Sequence, residues 1–239
     1  MNITKKTGRI VGALFLTVMV TWSIGNELIG SIINSPDYLN NLYPNGTKVT
    51  IGVLFELIEV GAFLGIAVIM FSIFKKQNES MALGYISLRI LECAMLVFAA
   101  ISALLLITLS QEFIQAGAPI ASNFQILGTL LIAARTQWAL LMITYLYGFN
   151  ALIFYSLLYQ SKLIPRFISV WGLIAITLAL IDRGVLDIYG YSAGMISGLP
   201  ISGLHLGLIE IFLGIWLVVK GFNLSAIASG SAKTDTRGN

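Results

Sequence analysis

Ionisable side chains interrupt the long apolar runs of this sequence, and their spacing places them in pairs. Glu56 and Glu59 lie within the apolar stretch "LFELIEVG", and Arg89 and Glu92 lie within the next apolar run. Residues three apart share one face of an α-helix, so each pair is expected to face a single neighbour. Ionisable residues inside apolar helices almost always face a bundle interior or water, and by default they indicate a functional site.

The last apolar run carries two further candidates, Glu210 and His205. Their spacing is roughly 140° around a helix, so the two side chains do not point at the same spot. At 1.5 Å per residue from the expected helix starts, Glu59, Glu92 and Glu210 all lie near the middle of a hydrocarbon core about 30 Å thick. This common depth indicates that the three acids belong to one site.

Acids outnumber bases at this depth. Glu56, Glu59, Glu92 and Glu210 are faced by one deep base, Arg89, which leaves about three negative charges uncompensated in a low-dielectric interior. We therefore expect that acids hold protons, or that water or a cation enters. Glu56 and Glu59, about 5–6 Å apart at Cβ, are expected to titrate as a coupled unit and to form the core of a cation-binding site.

Several of these residues could have a structural role instead of a functional one. Arg89 and Glu92 could form an internal ion pair that fixes helix packing, and a lone His205 is more often a hydrogen-bonded interior residue than a metal ligand. A metal held by Glu56, Glu59 and His205 is an alternative, and no other cofactor is expected. The aromatic residues of the fourth apolar run are expected to pack or to anchor at the membrane interface: Tyr145, Tyr147, Phe149, Phe154, Tyr155 and Tyr159.

Four more ionisable residues fall near the expected outer ends of helices, and we interpret them as the mouth of a pocket. They are Glu27, Arg135, Asp182 and Arg183. The apolar runs are almost free of polar residues on the opposite side of Arg89. The positions of the ionisable residues therefore predict a cavity that opens away from the cytoplasm.

The elements that hold these residues are membrane helices. The chain has 239 residues, of which 57% are hydrophobic and 10% are charged, and its mean hydropathy is +0.90. Soluble domains carry about 25% charged residues, and apolar runs of about 20 residues are long enough to span a bilayer. We expect one transmembrane domain over residues 1–224, a polar disordered tail over residues 225–239, and no nucleic-acid partner.

The predicted fold is an all-α, six-helix transmembrane bundle. The expected spans are residues 10–33, 49–74, 82–109, 137–159, 167–187 and 201–219. The apolar segment 124–134 is too short to span, so we expect an interfacial or re-entrant helix, or an outer extension of the fourth helix. Ten of the fourteen Lys and Arg residues fall on one side of this arrangement, which places both termini in the cytoplasm.

Several stretches resemble a known protein family. "LLYQSKLIPRFISVWGLIAI", Leu157 to Ile176, is similar to a helix end, a Ser-x-x-x-Pro-Arg turn and a Gly-containing helix of that family, and the start "KKTGRIVGALFLTV" and the Arg89-x-x-Glu92 pattern are also similar. The family is the bacterial "domain of unknown function 4386" family of six-span membrane proteins. The resemblance covers nearly the whole chain and implies the span count and a bacterial plasma membrane. It implies no activity.

The residues favour a binding or transport module over an enzyme. In the first reading the pocket takes up a small cationic or amphiphilic solute, a lipid headgroup or protons, and the bilayer is the surrounding partner. In the second, an integral membrane enzyme uses the same carboxylates as acid and base or as metal ligands. A single His excludes multi-His zinc hydrolases, and no G-x-S-x-G or P-loop motif occurs. A third reading is a structural or regulatory subunit whose charges pair with another protein's helix.

Overall fold

The computed structural model describes residues 5–116, 121–182 and 201–223, and within these ranges the chain consists of helices and short connections, without strands. The side chains of residues 121 and 201–205 are not described. Arg183, the end of the fifth expected span and the tail 225–239 lie outside the described residues. The helices are α1 (Lys5–Ile33), α2 (Tyr38–Asn41), α3 (Gly46–Phe74), α4 (Glu79–Ala116), α5 (Ala121–Ala133), a π-helical segment (Ala134–Ala139), α6 (Leu140–Ser161), α7 (Arg166–Ala179) and α8 (Ile201–Lys220).

Four helices in the described part of the chain are long and apolar enough to cross a membrane. They are α1, α3, α4 and the continuous helix Ser122–Ser161, which runs from α5 through the π-helical segment into α6. The first four expected spans lie within these helices, and the segment 124–134 extends the fourth. The chain is thus all-α, with four apolar helices that fit a membrane helical bundle. Helices α7 and α8 cover the described parts of the fifth and sixth spans, whose crossing stays a prediction.

The outward faces of these helices are apolar. Val68 is 59% exposed on α3, and Leu130 is 61% exposed on α5. Exposed apolar surface is unfavourable in water by about 25 cal/mol per Å², but it has no such cost against lipid tails. The helices also satisfy their backbone hydrogen bonds internally, as a hydrocarbon environment requires.

The chain divides into two compact units. Unit 1 contains Met1–Met19, Ala62–Leu91 and Thr144–Asn239, and unit 2 contains Val20–Gly61 and Glu92–Ile143.

The core of unit 1 is a cluster of aromatic rings around Phe154 of α6. The ring centroids of Phe15, Phe74, Tyr85 and Tyr155 lie 5.4–5.8 Å from that of Phe154. Most of these rings meet at a tilt, the arrangement that adds about 0.5–1.5 kcal/mol per pair beyond the burial of area. The cluster joins α1, α3, α4 and α6, so it sets the positions of the helices that carry the polar residues of this unit.

Glycines bring α1 and α8 into close contact within unit 1. A Cβ on Gly12 would lie 2.7 Å from the carbonyl oxygen of Gly214, and a Cβ on Gly8 would lie 2.5 Å from the backbone nitrogen of Phe222. Small residues of this kind let membrane helices approach at backbone distance. The contact seats α8, which carries Glu210, against α1.

The core of unit 2 is aliphatic, and a serine ties its connecting loop to α4. Ile29, Leu42, Val49 and Leu106 are fully buried there. Ser110 Oγ donates to the carbonyl oxygen of Leu39 at 2.5 Å and accepts from the backbone N–H of Tyr43 at 2.8 Å. These two bonds hold the loop between α1 and α3, which includes α2, against α4.

Candidate functional site

Unit 1 contains a series of polar contacts that joins α4, α6 and α8. Arg89 Nη2 on α4 donates to Asn150 Oδ1 on α6 at 2.9 Å. Asn150 Nδ2 donates in turn to the backbone carbonyl of Tyr85 at 2.7 Å. On the same face of α6, one turn before Asn150, the hydroxyl of Tyr147 donates to the Glu210 carboxylate on α8. Helix α6 therefore contacts both Arg89 and Glu210 through one polar face.

The guanidinium of Arg89 is enclosed by aromatic faces as well as by an amide. Its Cζ lies 4.4 Å from the ring centroid of Phe63 and 5.8 Å from that of Tyr147. Arg89 is 4% exposed and Asn150 is fully buried. A desolvated cation–π contact is worth about 2 kcal/mol, and a hydrogen bond to a charged group about 1.5–3 kcal/mol. This environment stabilises a permanent positive charge inside an apolar bundle.

Glu210 has a different kind of contact. Its carboxylate, half-buried on α8, accepts a hydrogen bond from Tyr147, a neutral phenol, and it forms no ion pair with the residues that the structure describes. The positive charge of Arg89 lies over the ring of the same tyrosine. Tyr147 thus contacts both Arg89 and Glu210.

Unit 2 holds an ion pair that the sequence analysis does not predict. Arg135 forms a two-pronged salt bridge with Glu56 of α3: Nη2 contacts Oε1, and Nη1 donates to Oε2 at 3.3 Å. Nη1 also donates to the carbonyl of Ala99 on α4 at 2.7 Å. The side chains are 9% and 14% exposed, so the pair is largely desolvated. A planar guanidinium suits this bidentate geometry.

Arg135 lies in the π-helical segment Ala134–Ala139, between α5 and α6. Such π-helical turns occur mostly as single insertions in α-helices and often at functional sites. The helix begins at Ser122, well before residue 137, where the fourth span was expected to start. Arg135 therefore lies within a continuous helix and not at the end of one. A residue interpreted as part of a pocket mouth instead neutralises one of the deep acids.

The sequence predicts a single deep base, Arg89, and the structure corrects this number. Arg89 is joined by Arg135 as a second largely buried base, and the carboxylate of Glu56 is neutralised by it. Glu56 and Glu59 were expected to share a proton because a single deep base was expected for four acids. Arg135 now neutralises Glu56, so this expectation loses part of its basis.

The remaining candidates are placed as follows. Glu59 is 4% exposed and Glu92 is 1% exposed, both in unit 2, so their predicted burial is confirmed. Glu27 is exposed on α1, and Asp182 is partly exposed in the helical turn after α7. His205 lies in α8, but its side chain is not described, and Arg183 lies outside the described residues.

No group of three or more His, Cys, Asp or Glu side chains forms a metal-binding cluster among the described residues. Glu56, one of the three ligands considered from the sequence, is engaged by Arg135. A site with Glu56, Glu59 and His205 would require that this salt bridge open.

Three residues that form the contacts of Arg89 and Glu210 were not identified as site residues from the sequence. Tyr147 was assigned to packing, and Asn150 and Phe63 were not singled out. One signal was present: Asn150 is an amide within an apolar run, one helical turn after Tyr147. Phe63 gave no signal, because a phenylalanine in a membrane helix is ordinary.

Comparison with known proteins yields one match. The model of a family described as "Domain of unknown function (DUF4386)" matches residues 10–221. The matched range contains every residue of the polar contacts described above. No curated protein and no solved structure matches the chain.

Proposed function

Since the chain belongs to the family described as "Domain of unknown function (DUF4386)", a description that assigns no activity, we propose a function from its geometry. The chain is a multi-pass membrane protein that binds a small cation or cationic amphiphile at Glu210 and exchanges it for a proton. In this proposal the site takes up its ligand from the extracytoplasmic side, and it serves binding or transport.

The contact between Glu210 and Tyr147 supports this proposal most directly. An intramembrane carboxylate costs about 2.5–3.5 kcal/mol on insertion scales, and a nearby cation or a bound proton relieves this cost. Arg135 relieves it for Glu56, whereas the described contact of Glu210 is a neutral hydroxyl. Glu210 is therefore the acid best suited to exchange one positive partner for another.

Aromatic groups around this position suit a cationic ligand. Tyr147 lies against Glu210, and Tyr155, about two helical turns further along α6, is 2% exposed within the aromatic core. Aromatic faces attract cations by about 0.5–2 kcal/mol, depending on how far the contact is desolvated. The guanidinium of Arg89 already occupies faces of Phe63 and Tyr147, so a second cation is held near the carboxylate and away from Arg89.

The orientation follows from the distribution of positive charge. We expect a reporter fused after Asn239 or Lys76 to be cytoplasmic and a reporter inserted after Asn45 to be external, because Lys and Arg are retained on the cytoplasmic side. Paired alkaline phosphatase and green fluorescent protein fusions measure this. An external C-terminus would contradict both the six-span arrangement and the side from which the site is proposed to open.

Glu210→Gln is expected to abolish stabilisation of the purified protein by cations. The amide keeps an acceptor for the Tyr147 hydroxyl but removes the charge that binds the cation. Wild-type protein in detergent should gain thermal stability with rising concentration of a bound cation. If one proton is exchanged, the apparent affinity should fall by up to about tenfold for each pH unit of acidification. Thermal unfolding against a panel of divalent metals and organic cations, at several pH values, measures both effects.

Two further variants sharpen this experiment. Glu112→Gln removes an exposed acid of α4 and should leave the cation response unchanged. Tyr147→Phe leaves the carboxylate in place and should retain a cation response. The proposal fails if no cation stabilises the wild type at any pH, or if Glu210→Gln responds as the wild type does.

A further inference from the structure

A basic cavity lies in unit 1, apart from the polar contacts of Glu210. Its volume is about 570 Å³, and none of the described residues that line it is acidic. Three separate segments meet there: the start of α1, the connection between α6 and α7, and the end of α8. Each contributes at least one cation, and the four are Lys5, Lys162, Arg166 and Lys220.

The charge of this cavity favours an anionic ligand. Two helices, α1 and α7, begin at the cavity and two, α6 and α8, end there, so helix dipoles of about half a charge each offset one another. Four full positive charges remain around one concave space. Like charges in a shared site repel, and an anion bound among them removes that repulsion.

Backbone contacts between the three segments form the cavity walls. The backbone N–H of Asn223 donates to the carbonyl of Leu163 at 2.8 Å, which joins the end of α8 to the connection after α6. Gly221 has a φ of +68°, and a Cβ there would lie 2.7 Å from the carbonyl oxygen of Lys5. Lys162 has a φ of 55°, a left-handed conformation that is uncommon outside glycine. The cavity is thus built by the fold and is not a gap between mobile side chains.

An aromatic surface adjoins the cavity. Trp216, which lines it, stacks on Phe212 with centroids 6.2 Å apart, and Phe212 also contacts Trp171 and Phe167. Phe167 is 56% exposed and Phe212 is 36% exposed. Aromatic side chains of this kind concentrate at the level of lipid headgroups. A cationic cavity bordered by an exposed apolar surface matches a ligand with an anionic head and an acyl tail.

We propose that this cavity binds the phosphate headgroup of an anionic phospholipid, with the acyl chains along the Trp216–Phe212 surface. Basic pockets between helices on the cytoplasmic side of a membrane protein are suited to such headgroups. Lys5, Lys162, Arg166 and Lys220 all belong to the side that the charge bias assigns to the cytoplasm. The proposal is independent of Glu210 and of any cation bound there.

Lys162→Gln/Arg166→Gln is expected to weaken binding of phosphatidylglycerol by roughly 30-fold, because each cation near an anionic surface contributes a factor of about five. The matched control is Lys75→Gln/Lys76→Gln, which removes the same number of charges from the connection between α3 and α4, outside the cavity. Titration of the purified protein with mixed micelles of phosphatidylglycerol or of phosphatidylcholine, read by thermal unfolding, measures the difference.

Quenching by brominated lipid gives a second readout that does not depend on stability. Brominated phosphatidylglycerol should quench the fluorescence of Trp216, measured as the difference between the wild type and Trp216→Phe, more strongly than brominated phosphatidylcholine does. The preference should be lost in Lys162→Gln/Arg166→Gln and kept in Lys75→Gln/Lys76→Gln.

Three results would overturn the proposal. Phosphatidylglycerol could bind no better than phosphatidylcholine, or the control double variant could lose binding as strongly as the cavity variant, which would mean a general attraction to charge. Inorganic phosphate alone could reproduce the full stabilisation, which would identify a site for a soluble anion and not for a lipid.

Discussion

Replacing Arg89 with leucine is expected to lower the free energy of unfolding by about 3–5 kcal/mol, because it removes a hydrogen bond to a charged group, worth about 1.5–3 kcal/mol, and a desolvated cation–π contact, worth about 2 kcal/mol. Arg89 is 4% exposed, donates to Asn150, and lies over the rings of Phe63 and Tyr147. The variant loses all of these contacts and leaves the Asn150 amide with an unsatisfied buried oxygen. Unfolding in detergent, by heat or by titration with a denaturing detergent, measures the loss.

A double-mutant cycle assigns this effect to specific partners. Arg89→Leu combined with Asn150→Leu should cost less than the sum of the single changes, by about 1.5–3 kcal/mol for a hydrogen bond to a charged group. Arg89→Leu combined with Glu92→Leu tests the one-turn pairing predicted from the sequence in the same way. Arg9→Leu, at an exposed position of α1, is the control and should change stability by at most about 0.5 kcal/mol. Strict additivity in both cycles would mean that neither residue is a partner.

Arg135→Leu is expected to destabilise the protein by about 3 kcal/mol, near the lower end of the range for buried pairs, because the side chains of the pair are 9% and 14% exposed. The variant leaves the charge of Glu56 without its counter-ion and frees the carbonyl of Ala99. Arg135→Leu/Glu56→Leu should recover much of the loss, since it removes the stranded charge. The same unfolding assay measures all three variants.

The control for this cycle is a basic residue of the same unit that is exposed. Lys48 donates to Ser31 Oγ at 2.9 Å on the surface of unit 2, and Lys48→Leu should have an effect of at most about 0.5 kcal/mol. If the double variant of Arg135 and Glu56 is no more stable than Arg135→Leu alone, the salt bridge makes no net contribution.

The two cycles also separate structural acids from functional ones. A strong coupling between Arg135 and Glu56 would identify Glu56 as part of the scaffold that holds α3 to the long helix Ser122–Ser161. The cation response would then depend on Glu210 and be insensitive to Glu56→Leu in the presence of Arg135→Leu. If the cation response instead requires Glu56, the cation-binding site is the one predicted from the sequence, with Glu56 and Glu59 at its core.

Composition and long apolar runs were sufficient to predict an all-α chain with four helices that are long and apolar enough to cross a membrane, and the six-span count stays a prediction. Side chains that face lipid need only be apolar, so their positions can be read along the chain without knowledge of their neighbours. The predicted burial of Glu59, Arg89 and Glu92 follows from the same logic, because a charge in a membrane helix is placed against the bundle interior.

The partners of those charges depended on the tertiary structure. Arg135 and Glu56 are far apart in the chain, and so are Tyr147 and Glu210; only the packing of helices brings each pair together. The helical rise predicts a depth for each polar residue, but it does not predict the rotation of the helix or the residue that the side chain contacts on another helix. A shift of one residue turns a side chain by about 100°, which is enough to exchange one partner for another. For this reason the sequence by itself determined that acids and bases are buried in an apolar helical chain, and only the tertiary structure decided that Glu56 is neutralised by Arg135 while Glu210 is held by a tyrosine.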